Sequence, residues 1–146
     1  MKISLSLFLI FCLFGLIVNY TLHKEERRAT DQSTLEENRK LVSKGGKYIA
    51  IMQTDGNFVI YSVNGDKKNP IWASNTMGAG KGPYRLIMQE DGNLVVYDSA
   101  KKSLWASNTN GKGKRPYKLR MQDDGNLVLY SSDNAPIWAS NTMGKI

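Results

Sequence analysis

Beyond Arg28 the spacing of apolar residues fits a helix only in a weak stretch near Thr34 to Leu41. Everywhere else apolar and polar residues alternate in short runs broken by Gly, Asn, Asp and Pro, the pattern of strands that bury one face. The runs repeat. Met52-Gln53-Thr54-Asp55-Gly56-Asn57-Phe58-Val59-Ile60-Tyr61 returns as Met88-Gln89-Glu90-Asp91-Gly92-Asn93-Leu94-Val95-Val96-Tyr97, and again as Met121-Gln122-Asp123-Asp124-Gly125-Asn126-Leu127-Val128-Leu129-Tyr130. A second block, Trp-Ala-Ser-Asn-Thr, starts at Trp72, Trp105 and Trp138, 33 residues apart. The chain is one unit written three times.

Each unit predicts a β-hairpin: two alternating runs around Asp-Gly, with the glycine closing a three-residue loop in the left-handed region. Because side chains alternate between faces, one face of each hairpin reads as core. Those inward sets are Tyr48, Ala50, Met52, Phe58 and Ile60; Tyr84, Leu86, Met88, Leu94 and Val96; Tyr117, Leu119, Met121, Leu127 and Leu129. The Ile71-Trp72, Leu104-Trp105 and Ile137-Trp138 pairs start a further strand per unit. Three indoles at equal spacing most simply meet on a pseudo-threefold axis. Residues 64–70 and 77–83 read as loops by composition.

The opposite face carries the candidate chemistry. Every unit presents Gln, Asp, Asn, Val and Tyr at the same offsets: Gln53, Asp55, Asn57, Val59, Tyr61; Gln89, Asp91, Asn93, Val95, Tyr97; Gln122, Asp124, Asn126, Val128, Tyr130. Amide, carboxylate and phenol converge around one exposed valine, a polar cup with an apolar floor. A monosaccharide suits that cup, since its hydroxyls both donate and accept while its ring C–H bonds prefer an apolar contact. Turn chemistry alone accounts for Asp-Gly-Asn. It does not account for Gln, Val and Tyr kept three times while the neighbours drift (Thr54, Glu90, Asp123; Ile51, Ile87, Arg120).

The first residues have a separate character. Ile3 to Leu22 carry no charge and are flanked by Lys2 and by His23-Lys24-Glu25-Glu26-Arg27-Arg28, which makes 1–28 a targeting segment, a cleaved signal peptide or an uncleaved single-pass anchor. Residues 29–146 form the exported domain, its repeats spanning roughly 35–146. The expected location is secreted, or membrane-anchored if the segment is retained. The one cysteine, Cys12, and the one histidine, His23, both precede the domain. That removes disulfides, thiol nucleophiles, imidazole bases and Cys or His metal ligands from it. Neither a metal nor a cofactor is expected. The net charge of +7 is spread over loop lysines such as Lys67, Lys68, Lys101 and Lys112, solvated turns and not a nucleic-acid surface.

The Gln-x-Asp-x-Asn-x-Val-x-Tyr pattern, present three times over Leu35 to Thr142, resembles the mannose-binding site of the bulb-type (monocot mannose-binding) lectins. The resemblance implies an all-β type II β-prism of three antiparallel sheets about a pseudo-threefold axis with tryptophans in its core. It implies metal-independent binding of mannose-containing glycans and glycoproteins, and no catalysis. Carried over, the Asp and Asn residues face the axial O2 of mannose, Gln reaches O3, Tyr reaches O4 and Val touches the ring carbons. The family often dimerises by exchanging C-terminal strands, so a homo-oligomer is an open expectation. Many plant members tie two repeats with a disulfide. Here the corresponding turn position is Gly56. The alternatives are an adhesive protein without sugar specificity and an exported glycosidase, the latter disfavoured because each cup holds a single carboxylate where a glycosidase needs two.

The N-terminal reading is checked by mass spectrometry of exported protein. A chain starting between Leu16 and Arg28 is the outcome expected of a signal peptide, whereas intact Met1 in the membrane fraction identifies an anchor.

Overall fold

A computed structural model describes residues 26–28 and 33–146. The apolar N-terminal run, with Cys12 and His23, lies outside the described residues. Twelve strands account for the regular structure of the described residues. Three short ones come first: β1 (Glu26–Arg28), β2 (Thr34–Glu36) and β3 (Lys40–Val42). The repeats then contribute three each: β4 (Tyr48–Met52), β5 (Phe58–Asn64) and β6 (Lys67–Ala73); β7 (Arg85–Met88), β8 (Leu94–Tyr97) and β9 (Ser103–Ala106); β10 (Lys118–Met121), β11 (Leu127–Tyr130) and β12 (Pro136–Ala139).

These form three four-stranded antiparallel sheets, ordered β3-β4-β5-β6, β2-β7-β8-β9 and β1-β10-β11-β12. Each repeat thus supplies three strands, and the N-terminal segment laces one edge strand onto each sheet in turn. The weak helical spacing near Thr34 to Leu41 is overturned by this arrangement. Leu35 pairs against Leu86 and Leu41 against Ala50, and both leucines are buried in the common core. That burial outweighs the local preference of so short a segment. The segment 64–70 is also not a simple loop, because β5 and β6 continue as a ribbon to Asn64 and Lys67, closing on Gly65-Asp66.

One cluster of buried side chains fills the centre, and it contains every residue of the three inward sets together with Leu35 and Leu41. The C-terminal strand β12 pairs with β11 of the same chain. A bulge recurs at one place in every sheet. Ile60 faces Trp72 but Tyr61 faces Pro70, leaving Ile71 as an extra residue; Leu104 and Ile137 are the extra residues in the other two sheets. The insertion lets two consecutive side chains, Ile71 and Trp72 and their counterparts, pack on the same core. The indoles of Trp72, Trp105 and Trp138 then meet pairwise edge to face, with centroids 5.5, 5.8 and 5.6 Å apart. Such pairs contribute about 0.5–1.5 kcal/mol each beyond the area they bury.

The three hairpin turns interlock in a ring. Gly56, Gly92 and Gly125 have φ of +87°, +87° and +90°. A Cβ at each would lie 2.9, 2.7 and 2.8 Å from the rings of Tyr84, Tyr117 and Tyr48, so every turn seats the tyrosine that opens the next repeat, and the third turn seats that of the first. At Gly56 the ring of Tyr84 fills the space a side chain needs.

Gly92 and Gly111 separate this interlock from backbone strain. Both have positive φ, but nothing lies within 4 Å of a Cβ at Gly111. Gly92→Ala is therefore expected to destabilise the domain by about 1–3 kcal/mol more than Gly111→Ala, read as the difference in urea midpoint at constant m. Equal losses would show that the tyrosine seat is unimportant.

Candidate functional site

The outward residues of each hairpin come together as the repeat pattern predicts, in three cups of common geometry. Gln53 Nε2 donates to Tyr61 Oη at 2.8 Å and Gln89 Nε2 to Tyr97 Oη at 2.8 Å, and Gln122 bonds Tyr130 in the same way. The bond spans the two strands and fixes both side chains. It uses the tyrosine oxygen as acceptor, which leaves the phenol proton to donate elsewhere.

The turn organises the acidic end. In each loop the amide of Asn57, Asn93 or Asn126 donates to Oδ1 of the Asp two residues earlier at 2.9 Å, a local bond that closes the turn and leaves the second carboxylate oxygen outward. The Asp residues are exposed, and Gln, Asn and Tyr are half-buried. The Asp carbonyls are held in turn by amides of the following loop, from Gly78 at 2.8 Å, Gly111 at 2.7 Å and Gly144 at 2.8 Å.

The outward repeat pattern does not by itself reveal what orients the asparagine. Asn57 Oδ1 lies 3.2 Å from both Ser74 Oγ and the Thr76 amide, which donate to it. Asn93 is held by Ser107 and Thr109, and Asn126 by Ser140 and Thr142. The same serines accept from the amides of Phe58, Leu94 and Leu127 at 2.9 Å. The threonines donate to the carbonyls of Gly56, Gly92 and Gly125. Each asparagine thus turns its oxygen to the fold and its amide Nδ2 to the cup. The signal was present in the sequence: Ser and Thr stand at constant places in Trp-Ala-Ser-Asn-Thr, and the asparagine between them, Asn75, Asn108 or Asn141, takes φ near +57°, a conformation that asparagine tolerates.

One feature of the expected cup is corrected. Val59, Val95 and Val128 face outward but are buried, with 3 %, 2 % and 3 % of their surface exposed. Their cross-strand neighbours close over them: Ile51 and Ala73 flank Val59, Ile87 and Ala106 flank Val95, and Arg120 and Ala139 flank Val128. Alternation gives the face a residue takes, while the size of its neighbours decides how much of it a ligand can touch.

The cups differ at their rims. At the second, Arg115 of the following repeat pairs with Glu90 at 2.7 Å, both side chains well exposed, a contact of small energetic weight. At the third, Asp123 accepts the Gly45 amide at 2.7 Å, which brings the loop before β4 alongside. Lys44, Arg120, Met121, Gln122, Asp123 and Asp124 there enclose a cleft of roughly 340 Å³. Among the described residues no group of three or more His, Cys, Asp or Glu is placed to hold a metal ion.

The family model for D-mannose binding lectins matches residues 80–143. A monomeric monocot mannose-binding lectin from Gastrodia elata superposes with a TM-score of 0.70 at 39% identity, over 82% of this chain and 98% of that one. The mannose-specific agglutinin of snowdrop (Galanthus nivalis) bulbs, solved with methyl-α-D-mannoside, gives 0.64 at 41% identity over 81% of this chain and 96% of its own. The Polygonatum cyrtonema lectin, solved with a monomannoside, gives 0.63 at 36% identity over 81% and 96%. No curated protein sequence matches the chain. Three four-stranded sheets around a tryptophan triangle, the repeated cup and this similarity over nearly the whole length of solved relatives place the chain in one family: it belongs to the D-mannose binding, bulb-type lectins.

Proposed function

We propose that the protein is an exported lectin that binds mannose and mannose-containing glycans through three metal-independent cups and acts by multivalency. The observation that carries the reading is the common orientation of the cup groups in all three repeats. Internal bonds consume one oxygen of each Asp, the oxygen of each Asn, one hydrogen of the Gln amide and the acceptor side of each Tyr. What each repeat presents outward is an Asn Nδ2, a carboxylate oxygen, a Gln carbonyl and a phenol proton. That set alternates donors and acceptors, as vicinal hydroxyls require. In this reading the axial O2 lies between Asp and Asn, O3 at Gln and O4 at Tyr. With the valines buried, the ring rests on the side chains around them, Ile51, Ile87 and the stem of Arg120.

About four hydrogen bonds at a net of roughly 1 kcal/mol each give millimolar affinity for a single sugar. Three cups on three sheets facing a dense high-mannose surface raise the apparent affinity by about 10² to 10⁴-fold without new contacts. The apolar N-terminal run supports export, either as a cleaved signal or as an anchor that keeps the lectin domain outside.

The asparagine supplies the test because its two ends do different things. Asn93→Ala removes the acceptor of Ser107 and Thr109 and costs about 1–3 kcal/mol of stability as well as the ligand donor. Asn93→Asp keeps that acceptor and replaces only the Nδ2 that faces the cup. Calorimetry with methyl mannoside is expected to lose one site in Asn93→Asp. The triple variant Asn57→Asp, Asn93→Asp, Asn126→Asp is expected to lose mannan binding while its circular dichroism stays that of the parent. A folded triple variant that binds mannan like the parent would falsify the assignment of the cups.

A further inference from the structure

The three cups share their polar groups but not the residues that border them. Opposite the cup tyrosine stand Ile49 in the first sheet, Arg85 in the second and Lys118 in the third; opposite the cup valine stand Ile51, Ile87 and Arg120. On the hairpins themselves two cations flank the third cup, one the second and none the first; the edge strands add Lys40 across from Ile51, Glu36 across from Arg85, and Glu26 and Arg28 across from Arg120 and Lys118, which leaves the third face the most cationic. On β10 the outward side chains follow as Lys118, Arg120 and Gln122, so the cations continue the line of the cup beyond its glutamine. They border a second cleft of roughly 260 Å³, lined by Lys118, Arg120, Tyr130 and Asn134. Lys118, Arg120, Tyr130 and Asn134 contribute no carboxylate to it, and β1 lays Glu26 across from Arg120 and Arg28 across from Lys118. Asp133, beside Asn134, accepts the Ala135 amide, and the Ser131 hydroxyl hydrogen-bonded to it helps hold its pKa below the ordinary carboxylate value. The carboxylates of Asp123 and Asp124 border the other cleft, at the opposite end of the cup.

We propose that the third cup prefers a mannose carrying a negative charge at its O6 edge, a 6-phosphomannosyl group. The inference deepens the proposed function and rests on its sugar orientation. With O2 at Asp124 and Asn126 and O4 at Tyr130, the exocyclic O6, next to O4 on the ring, points past the tyrosine into the Lys118–Arg120 cleft. A phosphate there carries about −1.5 to −2 charge and three acceptor oxygens. A guanidinium and an ammonium meet it with directional, charge-assisted bonds. Lys118 and Arg120 each already interact within the chain. With three and five N–H donors respectively, neither is exhausted by one partner. The first cup, bordered by Ile49 and Ile51 with Lys40 one strand further out, offers a phosphate no cation opposite its tyrosine.

Calorimetry on the exported chain at low salt, with mannose, mannose 6-phosphate and glucose 6-phosphate as probes, tests the proposal. One site per chain is expected to bind mannose 6-phosphate about tenfold more tightly than mannose, a gain that fades as salt screens it. Glucose 6-phosphate, which has the phosphate but an equatorial O2, is expected to show no such site. Lys118→Ile with Arg120→Ile, the residues of the first sheet, should abolish the preference, and mannose binding retained at the first and second cups, which neither residue borders, reports on folding. Arg120→Gln alone should reduce the preference. Equal affinity for mannose and mannose 6-phosphate in the parent overturns the proposal, as does a preference that survives the double substitution or is shared by glucose 6-phosphate. Failure of mannose and mannose 6-phosphate alike to bind overturns the lectin reading together with it, whereas mannose binding without preference overturns this proposal alone.

Discussion

No one of the three sheets can bury its apolar face alone, and the whole structure follows from that constraint. Each hairpin presents about five large apolar side chains on one side. Only the two other sheets supply matching surfaces, so the repeats close around an axis where their inward sets form one cluster. The bulge that turns both Ile71 and Trp72 inward, and its two counterparts, adds the material that fills the axis. The ring of glycine turns and tyrosine rings then couples each repeat to the next.

The same construction prepares the binding face. A serine and a threonine just past the strand that carries the tryptophan reach behind the hairpin turn and take the asparagine oxygen, a main-chain amide and a glycine carbonyl into one network. Buried polar groups must be satisfied, and here their satisfaction dictates which end of the asparagine faces outward. Core and cup are therefore two sides of one hydrogen-bonded unit. Substitutions at the asparagine report on recognition only when they leave its inward oxygen in place.

Threefold similarity holds for the network and fails at its borders. The first sheet extends as a ribbon to Asn64 and Lys67, the second carries an exposed Arg115–Glu90 pair, and the third gathers Lys44, Lys118 and Arg120 around its cup. The side chains bordering a cup differ between the repeats and give each cup its own electrostatic surroundings.

Much of this was legible in the residues themselves. A repeat with period-two alternation names its own inward and outward faces, which is why the core sets, the hairpin turns, the tryptophan triangle and the convergence of Gln, Asp, Asn and Tyr could be read without coordinates. These are consequences of local geometry multiplied by three. Tertiary structure alone decided where non-local partners enter. Leu35 and Leu41 belong to strands because the edges of β7 and β4 and a common core await them, a fact that no local spacing encodes. The valines are buried because Ile51, Ile87 and Arg120 lie across from them, and the asparagines present their amides because serines and threonines 14 to 19 residues away take their oxygens. Alternation along a strand determines which side a residue faces; the identity of whatever meets it there depends on pairing between distant segments, and that is settled only when the three sheets close on one another.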